Sequence, residues 1–375
     1  MLVLSWVSLN TAQAACPADI NNLAPGTWCE VANSHMRDVA YKWPAGVKYT
    51  LNGIGVEGVI DLWSGGAYDT QLDRLMVWGG GHNGYGGNEV YAFDVGLMKW
   101  IRLSDPSLVL STGTEYYADG TPAARHTYNG LQYSPLTNSM LSFNSGQWGV
   151  DGSYSSAVDV FNIVSGKWQK FSNRPPVSSY TQSAVDPVTG HMWVKGNADN
   201  CYVAELNPVN GDWSTRTNWL GCYSYYATLE VDPFNRVLVG IGDGDQWVMD
   251  ISANGTIPLQ TLNTSGDQTI VNAEAPGLAY DSVSGKLVGW AGGTSVYALD
   301  TKTWTWTRIY PSPGNTVSPT APNSTGTYGR FRYIPAKNAF IVVNSVDENV
   351  FFYKLSAGQG TTPPQAPAKP SVTIR

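Results

Sequence analysis

An all-β chain folded as a single propeller of short four-stranded blades is what this sequence predicts, on three observations. Its 375 residues carry 40 Gly and 12% aromatics but only 14% charged residues, a balance that suits short strands and tight turns over helices with Glu/Lys faces. No stretch sustains a helical apolar period. A unit of apolar segment, Asp/Pro/Asn/Gly turn and second apolar segment ending at Gly or Asn recurs along the chain, and Trp follows several copies at a fixed offset.

The units are GGAYDTQLDRLMVWGGG from Gly65, NGLQYSPLTNSMLSFNSG from Asn129, QSAVDPVTGHMWVKGNA from Gln182, ATLEVDPFNRVLVGIGDG from Ala227, PGLAYDSVSGKLVGWAGG from Pro276 and GRFRYIPAKNAFIVVNS from Gly329. Six copies spaced about 45 to 65 residues apart match blade spacing. Asp94 precedes Trp100, Asn162 precedes Trp168, Asn207 precedes Trp213 and Asp300 precedes Trp306, all by the same interval. This pattern reads as the hairpin between the two outer strands, with the indole filling the space between blades. The last copy adds Val350 to Leu355 as a third strand and lacks a fourth, whereas Gly26 to Val31 reads as an unpaired outer strand. The N-terminal segment is therefore expected to complete the last blade and close the ring. A seventh blade enters the count only if Val47 to Ile54 builds one.

The termini divide the chain into three parts. Residues 1–14 end Ala12-Gln13-Ala14, the small-x-small pattern of a secretory signal peptide; 15–358 make the propeller; 359–375 form a Pro/Thr-rich linker or truncated tail. Four cysteines fit an exported, secreted or periplasmic protein, with Cys16 paired to Cys29 and Cys201 to Cys222. No second long apolar segment suggests a membrane span, and a formal charge of −7 without a Lys/Arg run argues against nucleic acid as partner. A monomer is expected.

The stretch RLMVWGGGHNGYGGNEVYAFDVGLMKWIRL from Arg74, with its strand, glycine run, polar loop and strand, resembles a Kelch motif and the blades of the galactose oxidase central domain. That resemblance implies the propeller fold. Copper-radical chemistry of the oxidase type needs a free Cys cross-linked to Tyr, which the expected disulfides leave no room for. The Asp-box repeats and three-arginine cluster of sialidases are not evident.

In such a fold the loops before each innermost strand and those between the second and third strands open on one face. The first set brings Arg125, His126, Tyr128, Asn129, Tyr180, Tyr225, Tyr226 and Arg330; the second brings His82, Asn83, Tyr85, Asn88 and Trp148. Aromatic rings with amides suit sugars. Arginine can hold a carboxylate, a neutral histidine can take a proton alpha to it, and a tyrosine can protonate the leaving oxygen. These types resemble those of propeller polysaccharide lyases, ulvan lyases among them. The resemblance implies β-elimination of an acidic, uronate-containing polysaccharide or oligosaccharide, with His126 or His82 as base, Tyr128 or Tyr226 as acid, and Arg125 and Arg330 on the carboxylate. Asn83, Tyr85, Asn88, Asn129, Trp148, Tyr180 and Tyr225 would line the substrate path. The alternatives are a non-catalytic glycan-binding or protein-interaction propeller. Glu57 and Glu274 are the carboxylates a hydrolase would need, and capping or exposure is the simpler account of both. No cofactor is required, although His82 with His126 could hold Zn or Mn and Asp243-Gly244-Asp245 could hold Ca. His35 and His191 are expected away from the site.

Overall fold

Six antiparallel sheets arranged about one channel make up the molecule, seen in a computed structural model that describes residues 15–143, 146–149, 157–171, 180–196, 201–217 and 222–358. The expected leader at 1–14 and the expected tail at 359–375 lie outside the described residues.

Blade one runs Ala67–Asp69, Arg74–Val77, Tyr91–Asp94 and Lys99–Arg102, from the channel outward. Blades two to five repeat this order, with innermost strands Leu131–Ser134, Gln182–Val185, Thr228–Asp232 and Gly277–Asp281. In blade five a fifth, short strand, Ser265–Gly266, adds in parallel to the outer edge at Thr305–Ile309. Blade six takes three strands from the C-terminal end, Phe331–Ile334, Ala339–Val342 and Val350–Lys354, and its fourth from the N-terminal segment: Thr27–Val31 pairs antiparallel with Val350–Lys354. Ring closure is thus made between distant parts of the chain, and the Cys16–Cys29 disulfide fastens the arm that makes it. Cys201–Cys222 is the second bridge. Val47–Ile54 forms no seventh blade; its pairing amounts to single bridges, Thr50 with Tyr85 and Leu51 with Ile54.

Burial explains why the strands read as continuous apolar runs rather than alternating ones. Inner strands are covered on both faces by neighbouring blades, so Arg74–Val77, Met192–Lys195 and Ala339–Val342 are almost wholly buried, while outer strands such as Lys167–Lys170 are largely exposed. Where the outer strand carries a Trp, the ring packs inward between blades, as its spacing predicts. Trp100 joins Ile341 and Phe352 of blade six, Trp168 lies against Trp78 of blade one, and Trp306 packs with Val239 and Ile241 of blade four.

The turn after each innermost strand closes on a residue with positive φ, at Asp73, Asn138, Gly190, Arg236, Gly285 and Asn338. Asp69 accepts from the backbone N–H of Gln71 and Leu72, and Asp73 takes a left-handed conformation that closes the hairpin. The hydroxyl of Tyr68 donates to Asp73, that of Tyr133 to Asn138 and that of Tyr333 to Asn338, the same spacing in three blades.

Candidate active site

At the face where the innermost strands begin, one chain position repeats around the channel. Trp63, Tyr128, Tyr180, Tyr226, Ala275 and Tyr328 each stand four residues before the mid-strand positions Ala67, Gln132, Ala184, Glu230, Ala279 and Arg332. All but Tyr226 have positive φ, between 44° and 56° for Tyr128, Tyr180, Tyr328, Ala275 and Trp63. Each such non-glycine residue costs about 1–3 kcal/mol of strain and persists only where its surroundings hold it. Here inter-blade hydrogen bonds do so: the Trp63 carbonyl accepts from Tyr128 N–H at 2.7 Å, and the Ala275 carbonyl from Thr327 N–H at 2.8 Å. The rings converge into an aromatic collar. Tyr128 lies 5.5 Å from Tyr180, 6.0 Å from Tyr225 and 5.9 Å from Tyr328, while Tyr180 stacks on Tyr225 at 5.0 Å and Tyr225 meets Tyr226 at 4.2 Å. Tyr128 and Tyr328 are buried beneath; Trp63, Tyr180, Tyr225 and Tyr226 are part-exposed.

The two histidines meet at the edge of this collar. Their rings stand edge to face at 4.5 Å, and the His82 backbone N–H points at His126 Nε2 from 3.4 Å. Gly81 gives His82 its approach: a Cβ there would fall 2.7 Å from the His126 ring. His126 is buried, Trp63 packs against it at 5.0 Å, and its Nδ1 lies 2.7 Å from the Leu62 carbonyl. Burial pushes its imidazolium down to about 4, overriding the opposing pull of the Leu62 carbonyl, with His82 adding to the fall. A neutral His126 therefore donates from Nδ1 to Leu62 and presents its Nε2 lone pair toward His82. His126 and Tyr128 are neighbours as alternation predicts, at 5.7 Å, although a left-handed turn at Tyr128 brings this about. Tyr226 touches the Trp63 indole, and burial raises its phenol to about 12.

Several residues expected at the site are committed elsewhere. Arg125 is wholly buried in an ion pair with Asp159 at 3.0 Å, with further N–H groups on the Ala123 and Glu115 carbonyls. Arg330 is equally buried and donates to the carbonyls of Ser64, Val343 and Gly326. Both arginines knit loops together, so neither is placed to hold a substrate carboxylate. Tyr85 is buried with its hydroxyl between Glu89 and the Trp43 indole N–H. Asn88 ties Thr121, Pro122 and Ser107 together, and Asn129 accepts from Leu229 N–H of blade four. Trp148 is buried and donates to the Gly84 carbonyl at 3.1 Å. Asn83 stays part-exposed beside His82. Glu57 caps Gly55 N–H and meets Arg37; Glu274 is exposed. His191 pairs with Glu205 in the turn at the far end of blade three.

Three residues escaped the sequence reading: Trp63 of the collar, Lys195 and Asp61. Lys195 occupies the strand position held by Trp78, Phe143, Ile241, Trp290 and Val343 in the other blades, a buried cation in an apolar series. Burial lowers its ammonium to about 7 against the pull of Asp245, and it lies 5.8 Å from the Tyr223 ring. Asp61, half-buried, accepts from Asn323; burial lifts its carboxyl to about 6 against the pull of Arg330, with Glu57 and Asp347 adding to the rise. The signal for Lys195 was the break in the repeat, visible once register aligns the blades.

A metal is poorly served. Among the described residues no group of three or more His, Cys, Asp or Glu side chains gathers, and Asp243 and Asp245 both accept from Ser224. No family model matches this chain, and no curated protein matches it.

Proposed function

We propose that the collar face binds an acidic, uronate-containing polysaccharide and cleaves it by β-elimination. The observation that carries this reading is the His82–His126 pair set at the edge of a tyrosine collar. His82 is the base: it is the more accessible of the two, and neutral His126 behind it fixes the loop through its Nε2. Tyr226, part-exposed and with its phenol held protonated, is the acid that meets the leaving oxygen. Tyr180, Tyr225 and Trp63 offer rings to the sugar faces, with Asn83 for a hydroxyl. Arg125 and Arg330 are spent on the scaffold, and Lys195, equally buried, donates to the Gly196 carbonyl, so none of the three is assigned to the uronate carboxylate.

The test is the ultraviolet absorbance of an unsaturated uronate formed from a panel of polyuronates. Replacing His82 with Ala should lower turnover by about 10²- to 10⁴-fold, the range of general-base contributions. A second reading, glycan binding without cleavage, is favoured by the same commitment of both arginines. Saturable binding of a polyuronate with no unsaturated product would establish it.

A further inference from the structure

The opposite mouth of the channel carries a separate set of groups. At its waist the mid-strand positions alternate around the ring: Ala67, Ala184 and Ala279 on the odd blades, Gln132, Glu230 and Arg332 on the even ones. The three long side chains meet across the axis and the three alanines leave room beside them. Arg332 donates to the Gly66 carbonyl at 2.9 Å and the Gly329 carbonyl at 3.0 Å, and Gln132 donates to the Ser183 carbonyl at 2.6 Å. What remains is the Nη1 of Arg332, 3.6 Å from Oε2 of Glu230. That separation exceeds a hydrogen bond and sets a donor and an acceptor side by side.

These groups form the floor of a cavity of about 180 Å³ that opens on the face where the innermost strands end. Tyr133, Tyr280 and Tyr333 stand in its walls, with Pro187 and Pro233 among the lining residues. Tyr133 and Tyr333 spend their hydroxyls on Asn138 and Asn338, but the corresponding position for Tyr280 is Gly285, which has no side chain to offer. A cavity of roughly 150 Å³ accepts a benzene-sized ring, so this one has room for a single six-membered ring. Mostly apolar walls with a few converging polar groups are the usual make-up of a small-molecule site. The charges at the floor oppose one another. An anion would meet Glu230, with the carboxylates of Asp186, Asp232 and Asp281 at the strand ends behind it, and a cation would meet Arg332.

We propose that this mouth binds one uncharged cyclic polyol, a monosaccharide or cyclitol, with a hydroxyl accepting from Arg332 Nη1 and donating to Glu230 Oε2 and the ring lying against the tyrosines. A single hydroxyl oxygen can reach both atoms across the gap between them. The site is independent of the chemistry at the histidine face, from which the waist residues separate it.

Saturation-transfer NMR and calorimetry on the full chain, with glucose, galactose, mannose, xylose and myo-inositol as probes, test this. Glucuronate and glucosamine serve as the charged counterparts of glucose. At least one neutral ring should bind saturably, and more tightly than its acidic or amino counterpart. Val185→Trp, at a part-exposed wall position, should weaken that binding at least tenfold with the circular dichroism unchanged. Glu230→Gln, which keeps the shape, should weaken it at least threefold, and it decides the matter if the Trp variant does not fold. Absence of binding by every neutral ring, tighter binding of a charged analogue, or affinity unchanged in the folded variants would each overturn the assignment.

Discussion

His126 shows how one side chain takes its state from its surroundings. It is held neutral in the folded protein, with its imidazolium near 4 against 6.5 for a free histidine, whereas the unfolded chain protonates it normally. The unfolded state therefore binds more protons between these values, and stability falls as pH drops from about 6.5 to about 4, by about 3 kcal/mol over the window. Urea unfolding at a series of pH values should show this slope, and His126→Gln should flatten it. Lys195 has the same sense at higher pH, since its folded value near 7 lies below the ordinary 10.5. The cost of burying its charge is fully present below 7 and disappears as pH rises toward 10.5. Lys195→Met should thus stabilise the fold, by at least about 1 kcal/mol more at pH 7 than at pH 10. Equal effects at both pH values would mean that the ammonium is not held in the desolvated state described here.

At the scale of the element, the collar position matters more than any strand. Ala275 sits at φ 45° where its counterparts are aromatic, and it contributes no ring. Ala275→Gly should therefore relieve backbone strain at the cost of one buried methyl, leaving stability unchanged or higher by up to about 1 kcal/mol in urea titration. A loss of more than 1 kcal/mol would show that the methyl, packed near Gly326, matters more than the strain. Strands, turns and the inter-blade tryptophans were legible in the sequence because each is a local pattern of short period. The histidine pair was legible too, since loop order around a ring dictates which loops meet. The arginines were not: Arg125 finds Asp159 at the start of the strand Asp159–Asn162, and Arg330 finds three carbonyls that no residue type announces. Trp63 and Lys195 would have been found by aligning blades on the innermost strand instead of on the turns. The first then falls in an aromatic series and the second breaks an apolar one.

For the whole molecule, the weak point of a ring is where its ends join. Blade six depends on pairing from Thr27↔Lys354 to Val31↔Val350, and the Trp28 ring packs 4.8 Å from Tyr353 and 6.1 Å from Trp290. The disulfide from Cys16 to Cys29, 13 residues apart, limits how far that strand can leave. Replacing both cysteines with Ser should lower stability by about 2–4 kcal/mol, as expected for a loop of this length, and hydrogen exchange should rise first in Val350–Lys354. Closure also fixes the blades whose loops build the collar, so a looser ring should cost activity before it costs fold. The most direct measurement is the appearance of unsaturated uronate, followed by ultraviolet absorbance, with wild-type protein and His82→Ala side by side on the polyuronate panel. The account predicts a steady rise for the wild type on at least one substrate and a fall of at least about 10²-fold for the variant. Equal rates for the two proteins, or new reducing ends from the wild type without any rise in absorbance, would contradict it.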